Sequence, residues 1–250
     1  MKLCAGAWLP DDEADEAMLQ GGARYQEHKL RSVLAWTGRR ELAVDIGAHC
    51  GLWSMQLLAA HFSDVVAFEP LERHIECFKQ NVPEGRYVLH DVCLGDRNGT
   101  CGVALVPSLS GRSYVSGDGT FLMAKLDDFG LAPDLIKIDT EGYEYFVLQG
   151  AEETLVTYRP AIIVEQKPGH AAKFGIKDRA AIDYLEFLGA KHSGAYAAAK
   201  TKQSCCGTLY PLRWRPNCNR ARHGELVLAM HRKPRKEPLV LRLKRLGNPQ

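Results

Sequence analysis

The chain has 250 residues, a formal net charge of +2 and a hydrophobic share of 46%. This length suits one compact domain with a sizeable core, and the composition is that of a soluble globular protein. The small net charge does not by itself indicate nucleic-acid binding. No apolar run is long enough for a membrane span, and the first ten residues lack the features of a secretory signal. We therefore expect a cytoplasmic protein without membrane contact.

Short apolar runs alternate with segments of helical periodicity along most of the chain. Residues 1–231 are predicted to form a single domain, with a helical N-terminal segment over 1–41 and an α/β core over 42–231. Strands are predicted, in chain order, at Leu42–Ile46, Val65–Phe68, Arg86–Val92, Leu135–Ile138, Ala161–Val164 and Leu226–Met230. Helices are predicted over Leu52–His61, from Leu71 to Asn81, around Tyr143–Ala151, and from Asp178 as N-cap to Gly189. A hairpin excursion is expected between Cys93 and Phe121.

Near-continuous apolar strands that alternate with helices indicate a mostly parallel sheet covered on both faces. Ligands of such sheets bind outside the carboxyl ends of the strands. Four acidic residues stand at predicted strand ends, namely Asp45, Glu69, Asp139 and Glu165. We expect these carboxylates to surround one ligand site.

The strongest local motif is the glycine-containing loop Asp45–Gly51, between a predicted strand and a predicted helix. Gly47 and Gly51 allow a tight turn, and the helix that follows offers free N–H groups to a ligand. The spacing differs from the Gly-x-Gly-x-x-Gly loop of nicotinamide cofactors. Asp45 would repel a pyrophosphate but attract a cation, which favours S-adenosylmethionine as the cofactor.

Two further carboxylates are candidates for the nucleoside part of that cofactor. Glu69 ends the second strand, where an acidic residue accepts hydrogen bonds from ribose hydroxyls. The alternative is that Glu69 caps the helix that follows Pro70. Asp91 ends the third predicted strand and would contact the adenine edge, or else it serves a turn at the surface.

Several blocks together resemble the FkbM-type methyltransferases. The blocks are Asp45–Ser54, Ala67–Pro70, Leu126–Phe129, Leu135–Glu144, Leu148–Ala151 and Ile162–Glu165. The resemblance covers roughly residues 25–166 and fades over the last third. His49 departs from the usual Asn of the family, although an imidazole can still form a hydrogen bond near the methionine end.

The resemblance implies a Rossmann-like class I methyltransferase fold, with a mostly parallel seven-stranded sheet and helices on both faces. It implies S-adenosylmethionine as methyl donor and O-methylation of a hydroxyl on a small molecule or glycan. The residues that it assigns to the cofactor are Asp45, Gly47, His49, Gly51, Glu69, Pro70 and Asp91. The Gly-Ala-His form of the loop also resembles phage-borne members, which would place the protein in the host cytoplasm.

The resemblance places Asp139 and Glu141 at the catalytic mouth. Asp139 is the first candidate for the base that removes the acceptor proton, and Glu141 is the second. Glu141 would alternatively favour the N-terminus of the next helix, with Thr140 as N-cap. Lys137 is a weaker candidate because a residue inside a strand can simply point out of the sheet. Asp139 and Glu165 would also suit a magnesium ion, which the sequence does not demand.

Three alternatives remain open from the sequence. The basic tail, residues 232–250, keeps an RNA or other nucleic-acid methyltransferase open, and a non-catalytic binding protein with the same fold is the other reading. Cys205, Cys206, Cys218 and His223 resemble a zinc group only loosely, because their spacing fits no standard finger. Neither the methyl acceptor nor the oligomeric state follows from the sequence.

Overall fold

The computed structural model describes residues 1–192 and 208–214. Three predicted features lie outside the described residues: the strand Leu226–Met230, the cysteine and histidine group from Cys205 to His223, and the tail 232–250. Within the described part, no helix combines the length and the apolar character needed to cross a bilayer.

The N-terminal segment was predicted to be helical, but only part of it is. It opens with a hairpin in which β1 (Lys2–Cys4) pairs antiparallel with β2 (Ala7–Leu9). The two turn residues, Ala5 and Gly6, have φ of 45° and 80°, the left-handed pair that fits a tight hairpin. Two helices follow, α1 (Glu16–Gly21) and α2 (Glu27–Leu34).

Strands and helices then alternate over residues 42–90 and 135–187, as the sequence predicted, and the three strands of the excursion stand between these two segments. In chain order they are β3 (Leu42–Ile46), α3 (Leu52–Ala59), β4 (Asp64–Phe68), α4 (Glu72–Asn81), β5 (Tyr87–His90), β6 (Cys93–Leu94), β7 (Gly99–Ala104), β8 (Tyr114–Ala124), β9 (Leu135–Ile138), α5 (Glu144–Gln149), α6 (Glu152–Tyr158), β10 (Ala161–Gln166), α7 (Ala180–Phe187), β11 (Ala190–His192) and β12 (Thr208–Trp214).

The central sheet has the strand order β11-β12-β10-β9-β3-β4-β5. The strands from β10 to β5 pair in parallel, and β12 is antiparallel to both β10 and β11. The chain leaves β3 toward β4 and β5 on one side and returns to β9 and β10 on the other. This reversal between β3 and β9 is a topological switch point, where ligands of such sheets bind. The predicted mostly parallel α/β fold is confirmed.

The core explains why these runs form strands. Successive residues of β3 and β9 enter different apolar clusters on the two faces of the sheet, as expected for a period of two. Val44 and Ile136 pack on one face, while Ala43 and Leu135 pack on the other. Because both faces are covered, the strands are mostly apolar, and the exceptions Asp45 of β3 and Lys137 of β9 pair with each other.

Three predicted boundaries differ from the structure. β5 ends at His90, so Asp91 lies beyond the strand and is exposed. The excursion is a separate three-stranded sheet of order β6-β8-β7 rather than a simple hairpin. The residue that caps α7 is Arg179 rather than Asp178, because the Asp178 carboxylate accepts hydrogen bonds from the Gly169 N–H at 2.9 and 3.0 Å.

Candidate active site

A deep cleft opens at the carboxyl ends of β3, β4, β9 and β10. Its empty volume, with open solvent at the mouth included, is about 1210 Å³. Six of the predicted site residues line it: Gly47, His49, Glu69, Pro70, Asp139 and Glu141. Asp45, Gly51 and Asp91 are not among the lining residues.

The glycine loop is shaped by contacts that a side chain would block. Gly47 has φ of 69°, and a Cβ added there would lie 1.9 Å from the Asp139 carbonyl oxygen. The N–H groups of Gly47 and Ala48 both donate to the Phe68 carbonyl at 3.0 Å. The loop is therefore held between the ends of β9 and β4. Gly51, with φ of 78°, stands against Phe78 rather than against the cleft.

Asp45 acts from beneath this loop. It lies directly opposite Lys137 in the β3–β9 register, and Oδ1 is 3.1 Å from the Lys137 Nζ. Ser54 Oγ donates to Oδ2 at 2.8 Å. Lys137, expected to point out of the sheet, is buried and donates to the carbonyls of Gly47 at 2.6 Å and Ile46 at 3.2 Å. Asp45 thus stabilises the ammonium group that fixes the loop.

Glu69 fills the predicted capping role and also holds the glycine loop. Its Oε1 accepts from the Leu71 N–H at 3.1 Å, which caps the start of α4, and its Oε2 accepts from the His49 N–H at 2.9 Å. His74 Nδ1 lies 3.0 Å from Oε1. A carboxylate has about four lone-pair positions, so one position on Oε2 remains for a ligand. His74 also lines the cleft, and sequence reasoning missed it.

The proton positions on His49 follow from its neighbours. Ser110 Oγ donates its one proton to Glu13 Oε2 at 2.7 Å, so the 3.1 Å contact between His49 Nε2 and Ser110 Oγ requires Nε2 to be the donor. Burial lowers the pKa of His49 well below its usual range, and the charges of His74 and Lys137 lower it further. The ring is therefore neutral, and its buried Nδ1 is an acceptor with no hydrogen-bond partner among the described residues.

An acidic cluster lines the same cleft at the ends of β9 and β10. Oxygens of Asp139, Glu141 and Glu165 lie within 4.8 Å of one another. Lys167 Nζ contacts Glu141 and lies 2.7 Å from Glu165 Oε2. The His170 Nδ1 lies 2.9 Å from Glu141 Oε2. Lys167 and His170 were not singled out by the sequence, because neither stands in a recognisable motif.

The carboxyl groups of this cluster differ in proton affinity. Although burial opposes it, the charges of Lys167 and Lys137 hold the pKa of Asp139 at about 2. Burial, followed by the charge of Asp139, raises the pKa of Glu141 to about 7. The same two causes raise the pKa of Glu165 well above its usual range, although the charge of Lys167 opposes the rise. Environments that separate the pKa values of neighbouring carboxyls are typical of acid–base sites.

The turn that carries Glu141 has an unusual backbone. Glu141 has φ of 59°, a left-handed conformation that is uncommon for a residue with a side chain. The buried Glu144 stabilises this turn, since its Oε1 accepts from the N–H groups of Thr140 at 2.9 Å and Gly142 at 3.0 Å. The predicted capping role of Thr140 is wrong, because Tyr143 precedes the first helical residue of α5.

The acidic cluster is a poor fit for magnesium as it stands. Its oxygens are close enough to share a cation, but the Lys167 ammonium contacts two of the three carboxyl groups.

The sequence segments that form the site also match a known protein family. The family model "Methyltransferase FkbM domain" matches residues 45–192. The chain belongs to the FkbM methyltransferase family. This FkbM domain includes the glycine loop, Glu69 and the whole acidic cluster, while the N-terminal segment precedes the match. No curated protein sequence matches the chain significantly.

Solved methyltransferases share the fold of this FkbM domain at low identity. The FkbM methyltransferase of Methylobacillus flagellatus KT is 18% identical with a TM-score of 0.47, covering 80% of this chain and 56% of that one. Precorrin-6y C5,15-methyltransferase of Geobacter metallireducens GS-15 is 16% identical with a TM-score of 0.47, covering 83% and 97%. N-methyltransferase NodS of Bradyrhizobium japonicum WM9, solved with S-adenosyl-L-homocysteine, is 14% identical with a TM-score of 0.52, covering 82% and 93%.

Proposed function

We propose that this chain transfers a methyl group from S-adenosylmethionine to a hydroxyl group of a small molecule or glycan. The observation that carries the proposal is that the glycine loop, Glu69 and Glu141 line one cleft. The FkbM family match supports the donor. The hydroxyl acceptor is supported by the basic Glu141, because an alcohol attacks poorly until its proton leaves.

The residues in and around the glycine loop fit S-adenosylmethionine. Glu69 has a remaining acceptor position on Oε2 for a ribose hydroxyl. His49 Nδ1 is a second buried acceptor. A neutral His49 does not repel a ligand that carries ammonium and sulfonium charges, whereas an imidazolium would. Asp45, expected to touch the methionine end, contributes instead through Lys137 and the loop.

Within the acidic cluster, we assign separate roles to two carboxylates. S-adenosylmethionine, when bound, supplies an electrophilic methyl group whose carbon–sulfur bond breaks as the acceptor oxygen attacks. Glu141 accepts the hydroxyl proton at its carboxylate, because a pKa of about 7 suits a base at neutral pH. Asp139, the first candidate from sequence, is a weaker base at a pKa of about 2. We assign it to orienting the acceptor and to stabilising Lys167.

Calorimetry on two matched variants tests the donor site. Glu69→Gln removes the charge that faces the cleft, and we expect the Kd for S-adenosylmethionine to rise about tenfold or more. Glu72→Gln removes the same charge from an exposed position in α4 and is expected to leave the Kd unchanged. Equal affinities for the two variants would remove Glu69 from the donor site.

The transfer itself is tested with a radiolabelled donor. The full chain is incubated with separated fractions of small molecules, glycans, RNA, DNA and protein, and labelled product is measured in each. Label in small molecules or glycans is expected. Label confined to RNA or DNA would replace the proposed acceptor, and a chain that neither binds the donor nor labels any fraction would be a non-catalytic member.

A further inference from the structure

Two short turns bring cations to the wall of the cleft, beyond the groups that the proposed chemistry uses. The first is the 3-10 turn Ser110–Arg112, from which Arg112 lines the cleft next to Tyr114. The second is the 3-10 turn Ala171–Phe174, which carries Lys173. The Lys173 Nζ lies 3.9 Å from the centre of the Tyr114 ring. The two turns therefore meet around one aromatic side chain of the cleft wall.

These cations have weak partners within the protein. Arg112 Nη2 is 3.9 Å from Asp15 Oδ2, beyond hydrogen-bond distance, and the Asp15 side chain already accepts from the Met18 N–H. Within the part of the chain that the structure describes, no carboxylate forms an ion pair with Lys173, which lies over Tyr114. Both side chains keep N–H donors for an additional anion.

The neighbouring charges do not cancel the positive charges of Arg112 and Lys173, which we together call the rim. Lys167 contacts Glu141 and Glu165, so the acidic cluster carries its own counter-charge. His170 lies between the cluster and the rim, and burial, followed by the charges of Lys173 and Lys167, lowers its pKa. A neutral His170 adds no charge to those of Arg112 and Lys173, and the Asp15 carboxylate, which also lines the cleft, lies 3.9 Å from Arg112 Nη2.

We propose that the methyl acceptor carries an anionic group, a carboxylate or a phosphate, which Arg112 and Lys173 bind. A guanidinium offers paired N–H donors that match both kinds of oxyanion, and the ammonium adds a point charge. With the anion held at the rim, the acceptor hydroxyl is placed toward Glu141. The inference rests on the proposed methyl transfer and names the class of its acceptor.

Calorimetry with inorganic phosphate tests the rim without an identified acceptor. The full chain is saturated with S-adenosyl-L-homocysteine, and phosphate is titrated into the wild type, Arg112→Gln, Lys173→Gln and Lys177→Gln. We expect phosphate to bind the wild type, and the first two variants to weaken it about tenfold each. Lys177 is exposed four residues after Lys173 and is the matched control. Phosphate that does not bind, or that binds all variants equally, would overturn the inference.

A transfer experiment separates this inference from the proposed function. Small molecules and glycans are fractionated on an anion exchanger, and each fraction receives the radiolabelled donor and the full chain. Label in retained, anionic material supports the rim, and phosphatase treatment of the product distinguishes a phosphate from a carboxylate. Label only in unretained, neutral material overturns the anionic acceptor but keeps methyl transfer. No label together with no donor binding overturns the proposed function. The phosphate titration, repeated without S-adenosyl-L-homocysteine, then still tests whether Arg112 and Lys173 bind an anion.

Discussion

Single side chains of the cleft carry the proposed chemistry, and the proton affinity of Glu141 is the most directly testable. Burial and Asp139 raise the pKa of Glu141 to about 7. Because a base must be unprotonated, the transfer rate should rise as the pH passes through about 7 and then level off. Glu141→Gln should lower kcat by about 100-fold or more and remove this pH dependence.

The control for that variant is Glu153→Gln, which changes an exposed carboxylate of α6 and should leave the profile intact. Steady-state kinetics between pH 5.5 and 8.5 would measure both variants. An unchanged acidic limb in Glu141→Gln would place the base at a residue other than Glu141.

The protonation of His49 gives a second prediction, by nuclear magnetic resonance. The hydrogen-bond chain from Glu13 through Ser110 requires the Nε2–H tautomer, and burial lowers the pKa of the ring. The nitrogen shifts of His49 should report a protonated Nε2 and a bare Nδ1 down to pH 5.5. An imidazole in a reference peptide titrates near about 6.5. Titration of His49 in that range, or a protonated Nδ1, would contradict the assignment.

Residue identity and spacing predicted part of this site, and contacts between distant segments decided the rest. Glu69, Gly47 and Asp139 were found because they stand at strand ends of one parallel sheet, where chain order determines place. The pairing of Lys137 with Asp45 depends on the β3–β9 register, which the sequence does not state. His74 and Lys167 acquire their roles from neighbours across the cleft, so no local pattern marked them.

At the scale of elements, the predictable part is the set of buried strands. β3 and β9 have the bounds that were predicted, because runs buried on both faces leave little ambiguity. The hairpin of β1 and β2 was missed because Ala5–Gly6 is a weak turn signal beside Asn-Gly or Asp-Gly. In the three-stranded excursion, fewer apolar residues repeat with a clear period than in the central strands, so the sequence predicted only a hairpin there.

The attachment of the glycine loop to β9 gives a prediction about Lys137. Lys137→Met leaves the buried Asp45 without its ion-pair partner and should lower the free energy of unfolding by about 3–5 kcal/mol. It also removes the donor to the Gly47 carbonyl, so the Kd for S-adenosylmethionine should rise. Urea unfolding and calorimetry would measure the two effects.

The double variant Asp45→Asn with Lys137→Met distinguishes stability from positioning. With both charges gone, much of the lost stability should return. Donor affinity should stay low, because the loop carbonyls still have no ammonium donor. Recovery of donor affinity together with stability would show that Lys137 does not position the loop.

For the whole molecule, binding at one cleft predicts a change in global stability. A ligand that binds the folded state alone stabilises it by about 2.7 kcal/mol at 100 times its Kd. For a chain of this size that corresponds to a rise in Tm of about 5–11 °C. Thermal unfolding with S-adenosylmethionine should show this rise and NAD should not. A rise with NAD alone would contradict the cofactor.

The excursion between β5 and β9 forms a sheet of its own, yet it supplies Arg112 and Tyr114 to the cleft. The donor loop, by contrast, belongs to the central sheet. We therefore expect the excursion to affect acceptor selectivity, and its Ser110 also contacts His49 Nε2 at 3.1 Å beside the proposed donor site. Exchanging residues 95–124 for the corresponding stretch of another family member should then change which acceptor is methylated, and a simultaneous loss of donor affinity would report on the contact between Ser110 and His49.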